Sequence, residues 1–108
     1  MKKHLLFVCG MAQERSKKAA ELFDNNKKYE AKCVGINPFA DTRVDSASLA
    51  WADYIFVMEQ IQKAFLLENF QKDVLGKEIK VLDIKGYTYD DPELERLLRV
   101  KLAKEGFL

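Results

Sequence analysis

Leu5-Leu6-Phe7-Val8, followed directly by Cys9-Gly10-Met11-Ala12-Gln13-Glu14-Arg15-Ser16, is the stretch on which the reading of this chain turns. A run of consecutive apolar residues predicts a strand buried on both faces, the pattern of a central strand in a parallel sheet. The segment after it leads into a helix expected over Ser16–Asn25. A cysteine, five residues, then arginine and serine, set between strand and helix, is a phosphate-handling arrangement. The strand delivers the Cys9 thiol to the edge of the sheet. Gly10, Met11, Ala12, Gln13 and Glu14 can curl so that their N–H groups converge on one centre. Arg15 supplies a planar fork for two oxygens. The helix opening at Ser16 adds the positive end of its dipole. The same field that holds a phosphate dianion favours the thiolate form of Cys9.

Outward from this point the chain alternates strand and helix. Strands are expected at Leu5–Val8, Tyr29–Val34, Tyr54–Met58 and Glu78–Leu82. Helices are expected at Ser16–Asn25, Ser46–Ala52, Gln60–Phe70 and Pro92–Lys104. Such alternation means an α/β fold, a parallel sheet with helices on both faces. Leu5–Val8 and Tyr54–Met58 are apolar throughout, as central strands should be. Tyr29-Glu30-Ala31-Lys32-Cys33 and Glu78-Ile79-Lys80-Val81-Leu82 alternate with polar residues, which suits edges. The expected fold is therefore a small, doubly wound, four-stranded parallel sheet of order 2-1-3-4, a single domain over 1–108. The last helix has clear ends. Asp91 is its expected N-cap, Pro92 fits the first helical position, and Gly106 is its expected terminator. Leu94, Leu97, Leu98 and Leu102 form its apolar stripe.

The totals narrow the function. A chain of 108 residues with 48% hydrophobic residues builds one ordinary core. Eighteen basic residues against seventeen acidic leave a net charge of +1, which argues against a dedicated nucleic-acid binder. There is no apolar run long enough to cross a membrane, about 18 residues. Met1-Lys2-Lys3 before Leu5–Cys9 mimics a short signal peptide. The apolar stretch is brief, however, and no small-residue cleavage site follows. A thiol set for use, with only two cysteines in all, points to the reducing cytoplasm. One histidine and two separated cysteines give no metal-ligand spacing, and no cofactor is expected. His4 stands at the start of its strand, away from the ligand edge. The lysine pairs at 17–18 and 27–28 read as solvated faces.

In such a sheet a ligand sits beyond the carboxyl ends of the strands. Cys9 and Asp83 each follow a predicted strand, two ladder spacings or ~10 Å apart in the plane. A curled phosphate loop and the segment 84–90 could close that gap. Cys9 would attack phosphorus, and Asp83 would give a proton to the leaving oxygen and then act as base for water. Asp90 is the rival acid, while Asp91 reads as a cap. Asp83 could also simply cap a turn.

These residues together resemble the low-molecular-weight protein tyrosine phosphatases, and more closely their short bacterial and archaeal branch. The resemblance covers nearly the whole chain. It includes the Leu-Leu-Phe-Val strand with Cys9–Ser16. It includes Cys33-Val34-Gly35, where the family commonly has Ser-Ala-Gly. It includes Trp51-Ala52-Asp53-Tyr54-Ile55-Phe56-Val57-Met58, and Leu82-Asp83-Ile84 through Tyr87, Tyr89 and Asp91-Pro92-Glu93-Leu94. The resemblance implies a phosphotyrosine protein phosphatase with Cys9 as nucleophile, Arg15 as phosphate and transition-state ligand, and Ser16 as the hydroxyl that stabilises the thiolate. Asp83 would be the general acid. Tyr87 and Tyr89 would wall the pocket, favouring a flat aromatic ring; they could equally pack against the last helix. Partners would be a phosphotyrosine protein and inorganic phosphate or another oxyanion.

Three departures stand out. Ala12 replaces the family's usual Asn, Glu14 precedes the arginine, and Lys17 stands where Pro is usual. Ala12 and Glu14 keep a second function open, a weakened module that binds phosphate or phosphotyrosine without turnover. A related arsenate reductase needs late cysteines, and none follows Cys33. A sugar-phosphotransferase carrier loop lacks the arginine that Arg15 provides. Cys33 reads as structural, though adjacent strands could bring it near enough to Cys9 for a disulfide.

Overall fold

A computed structural model describes residues 1–108. The elements run β1 (Lys3–Cys9), α1 (Arg15–Glu21), β2 (Tyr29–Gly35), α2 (Ser46–Trp51), β3 (Tyr54–Val57), α3 (Gln60–Asn69), β4 (Ile79–Val81) and α4 (Pro92–Lys104). The sheet is parallel throughout, in the order β2-β1-β3-β4. Phe7 lies opposite Cys33 on one side and Phe56 on the other.

Alternation along β1 divides the core in two. Leu5, Phe7 and Cys9 face α1 and α4, packing with Ala19, Phe23, Leu94, Leu98 and Leu102. Leu6 and Val8 face the opposite way, toward Leu49 of α2 and Leu66 of α3. Leu5–Val8 of β1 and Ile55–Val57 of β3 are buried on both faces, which is why these stretches carry no polar residue. The edge strand β2 alternates exposed and half-buried residues until Val34.

The ends of the last helix follow its sequence signals. Asp91 accepts from Glu93 N at 2.9 Å, and Pro92 takes the first helical position. Past the helix, Gly106 adopts a φ of 87°. Phe107 N reaches the Leu102 carbonyl at 2.9 Å and Gly106 N the Ala103 carbonyl at 3.0 Å, a Schellman closure. This turn seats Phe107 against Tyr29, Tyr54 and Phe56, with ring centroids 4.9 to 5.2 Å away. Leu94, Leu98 and Leu102 are fully buried, and Leu97 packs at the margin.

Helix α2, strand β3 and helix α3 each end one residue before their expected bounds, and two elements depart further. Helix α1 ends at Glu21 instead of Asn25, because Leu22–Asn25 turn and Asn25 takes a left-handed φ of 60°. Strand β4 spans only Ile79–Val81, yet the ladder continues past it. Leu82 N donates to the Val57 carbonyl and Ile84 N to the Met58 carbonyl, each at 2.9 Å. This extension carries the segment after β4 to the mouth of the sheet. At the other end of the sheet, His4 stacks on Trp51 with centroids 4.2 Å apart, far from the strands' carboxyl ends.

Candidate active site

Cys9 closes β1, and its thiol is 2% exposed. Its Sγ lies 2.8 Å from Ser16 Oγ, which is fully buried in the first turn of α1. Strand and helix thus hold thiol and hydroxyl together across the loop 10–14. The loop's peptide groups are oriented by their carbonyls. Gly10 O accepts from Asn37 N and Met11 O from Asp41 N, both at 3.0 Å, so these carbonyls turn toward the 36–45 segment. The amide N–H groups of Gly10, Met11, Ala12, Gln13 and Glu14 donate to no acceptor within the chain. Unpaired amides in succession beside a helix N-terminus form an anion-binding concavity.

Local sequence makes this curl possible. Ala12 sits at φ 61°, a conformation that costs a residue with a Cβ about 1–2 kcal/mol. Gly35 abuts the loop from β2. A Cβ there would stand 2.4 Å from Gly10 O and 2.7 Å from Ala40 Cβ, so only glycine lets β2 and the loop pass.

Arg15 is aimed by two partners. Its Nη1 donates to Glu59 Oε1 at 2.6 Å and to the Ile84 carbonyl at 2.8 Å. That leaves the Nη2 and Nε side of the fork for a ligand. Glu59 is the N-cap residue of α3, and its backbone is held there by Gln62, whose Oε1 accepts from Glu59 N at 2.7 Å and from Met58 N at 2.9 Å. The motif reading did not single out Glu59, Gln62 or Ile84. A carboxylate directly after the apolar strand that neighbours β1 was the available signal.

A pocket of about 210 Å³ opens over the thiol. Cys9, Gly10, Met11, Glu14, Arg15, Gly86, Tyr87 and Thr88 line it. Ala12 is buried beneath the loop, and Gln13 turns outward to Asp41 Oδ1 at 3.0 Å. Glu14 does not direct its carboxylate at the thiol; its Oε2 accepts the Tyr89 backbone N–H, tying the phosphate loop to the 82–91 segment. Tyr89 does not line the pocket. Its hydroxyl donates to Glu21 on α1, which holds the phenol above its ordinary pKa, and Lys17 and Lys18 lie over its ring.

Asp83 is exposed, at a left-handed φ of 57°, between the buried Leu82 and Ile84. It is outside the pocket lining, but its neighbour Ile84 carries the carbonyl that touches Arg15. Asp91 is the cap of α4. Cys33 lies opposite Phe7 and not Cys9, so the two cysteine Cα atoms are about 8 Å apart on the diagonal, beyond disulfide reach. Both are free thiols, and burial, with Cys9 close by, pushes the Cys33 thiol up.

No protein-family model matches the sequence, and no curated protein matches it. Solved structures do. The tyrosine phosphatase Wzb from Escherichia coli K30, in complex with phosphate, superposes with a TM-score of 0.71 at 15% identity, over 97% of this chain and 96% of that one. The low-molecular-weight protein tyrosine phosphatase from T. tengcongensis gives 0.68 at 20% identity, over 96% and 99%. The YwlE arginine phosphatase from Geobacillus stearothermophilus gives 0.67 at 20% identity, over 95% and 92%. Likeness over whole chains at such low identity is likeness of architecture. The sheet order, the placement of the loop after β1 and these superpositions together identify the chain as one with the fold of the low-molecular-weight protein tyrosine phosphatases.

Proposed function

We propose that the chain is a cysteine-dependent phosphatase of this family, acting on phosphotyrosine in proteins. The observation that carries the reading is the run of unpaired amides from Gly10 to Glu14 in the loop that joins Cys9 to Arg15, with Gly10, Met11, Glu14 and Arg15 lining the pocket over the thiol. A phosphate monoester would take the amides on its non-bridging oxygens and the free side of Arg15 on two of them. Ser16 Oγ, 2.8 Å from Sγ, donates to the thiolate. The thiolate attacks phosphorus, the S–P bond forms as the P–O bond to the leaving group breaks, and Asp83 gives its proton to the departing oxygen. Water then attacks the phosphocysteine, giving its proton to Asp83. Phosphate leaves and the thiolate returns.

The aromatic substrate follows from Tyr87, half-buried in the pocket lining beside Cys9, which offers a flat wall to a phenyl ring. The fold is shared by proteins named for tyrosine and for arginine phosphatase activity, so both phosphoamino acids belong in the test. A reducing cytoplasm suits the free Cys9 thiol. A second reading, binding without turnover, has its own support in the exposure of Asp83 outside the pocket lining.

Hydrolysis of p-nitrophenyl phosphate, a phosphotyrosine peptide and a phosphoarginine peptide, under reducing conditions, separates these readings. Turnover of the phosphotyrosine peptide should vanish with Cys9→Ser and fall ~10²-fold or more with Asp83→Asn. Turnover that survives Asp83→Asn moves the acid role to Asp90. Preference for phosphoarginine overturns the aromatic assignment. Tight binding of the phosphotyrosine peptide by folded wild-type protein without turnover establishes the binding module.

A further inference from the structure

Strand β2 is an open edge. It pairs with β1 alone, through the backbone groups of its even-numbered residues, as Ile36 N to the Cys9 carbonyl shows just beyond its end. The odd-numbered residues point the other way. Gly35 uses that direction to bond Thr42 O at 2.8 Å and Val44 N at 2.9 Å, a short parallel bridge that covers only the strand's last residue. Tyr29 N is taken by Asn26 Oδ1 at 2.9 Å. Between them, the outward N–H and C=O groups of Ala31 and Cys33 have no partner in the chain. On the face of the sheet that carries α2, a groove of about 520 Å³ lies between this edge and the helix, lined by Lys32, Val34, Arg43 and Trp51 among others.

Edge strands that resist association carry charged side chains, prolines or bulges. Between Tyr29 and Cys33 this edge has no proline and no bulge, and its two charges, Glu30 and Lys32, are of opposite sign and so can complement a second copy. Glu30 and Lys32 flank Ala31 symmetrically, are both exposed, and project from the same face. We propose that β2 pairs antiparallel with β2 of a second copy about a two-fold axis through Ala31, joining two sheets into one.

Register follows from the backbone and the charges together. With Ala31 opposite Ala31 of the other copy, each donates to and accepts from its mate. Cys33 N then meets the carbonyl of Tyr29 from the other copy. Glu30 falls directly opposite Lys32, and Lys32 opposite Glu30, at the positions where an antiparallel pair brings side chains closest. Centring the axis on Lys32 would use the same free groups but set two lysines face to face. The complementary pattern selects the first register, and two-fold symmetry repeats each ion pair. The pocket over Cys9, at the carboxyl ends of the strands, stays open at opposite ends of the joined sheet.

Sedimentation or light scattering of the full chain from roughly 1 µM to 1 mM, the span in which weak specific interfaces populate, tests this. A concentration-dependent dimer is expected. Glu30→Lys and Lys32→Glu alone should each weaken it about tenfold or more, since each places like charges opposite one another twice. The double variant Glu30→Lys/Lys32→Glu should restore it. Ala31→Pro, which removes an outward donor and leaves the β1 ladder intact, should leave a folded monomer by circular dichroism. A wild-type chain that is monomeric throughout the range overturns the proposal. So does a dimer indifferent to the single charge reversals, and if Ala31→Pro fails to fold, the charge series decides alone.

Discussion

Glu14 stands directly before the arginine of the phosphate loop, where a carboxylate aimed inward would repel a dianion. Its Oε2 instead accepts the Tyr89 N–H, so the charge is spent on fastening one loop to another. Ala12 is the converse case: an unremarkable side chain placed at φ 61°, where its Cβ makes the loop's tightest bend costly. Arg15 shows how far an aiming residue can lie from the motif it serves, for Glu59 is 44 positions away in sequence and 2.6 Å away in space. Glu59→Gln replaces an ion pair with a weaker neutral bond and loosens the guanidinium. It should lower kcat for p-nitrophenyl phosphate about tenfold or more, because small misplacements of an oriented group are expensive in rate. Steady-state kinetics beside a thermal melt checks it: unchanged kcat with unchanged melting removes the positioning role.

Helix α2 is short, six residues, and depends on its ends. Asp45 caps it, accepting from Ser48 N at 2.7 Å while Ser48 Oγ takes the Asp45 N–H at 3.1 Å. At its other end, Lys77 Nζ reaches the carbonyls of Leu49, Ala50 and Ala52, complementing the negative pole of the helix. The backbone and hydroxyl hydrogen bonds of Ser48 hold the Asp45 carboxyl below its ordinary value. A lowered folded value means stability that is full above the unfolded pKa, ~3.9, and is lost as pH falls through the folded one. Asp45→Ala should therefore cost about 1 kcal/mol at pH 7. Thermal unfolding of wild type and variant should converge as the pH drops below ~3.9; a gap that persists at low pH would show that the carboxylate's charge is not what caps the helix.

At the scale of the whole molecule, one sheet with two apolar faces joins the site to the core. Cys9 belongs both to the pocket and to the cluster that includes Leu98. Leu98→Ala, at a fully buried position, should cost about 2–5 kcal/mol. The urea midpoint should fall with an unchanged slope, and a changed slope would mean that the packing of the face, and not one side chain's contacts, had been lost. Strand order was readable from residues alone, because burial on both faces leaves Leu5–Val8 and Tyr54–Val57 no charged positions, while β2 and β4 alternate. The ends of α4 were equally readable: Asp91, Pro92 and Gly106 act through their own backbone bonds, which are local. Cys9, Arg15 and Ser16 were legible for the same reason, since a loop between a strand and a helix is a short-range object. What sequence could not show is whatever depends on which distant segment arrives beside that loop. Glu59 and the Ile84 carbonyl aim Arg15, Gly35 makes room for Gly10, and Tyr89 takes the Glu14 carboxylate and turns away from the pocket. The order of the strands and the loop's chemical content could be read along the chain, because periodicity and local bonding are written in neighbouring residues. Where each charge points emerged with the folded chain, because it is set by contacts across the sheet between residues with no fixed spacing along the sequence.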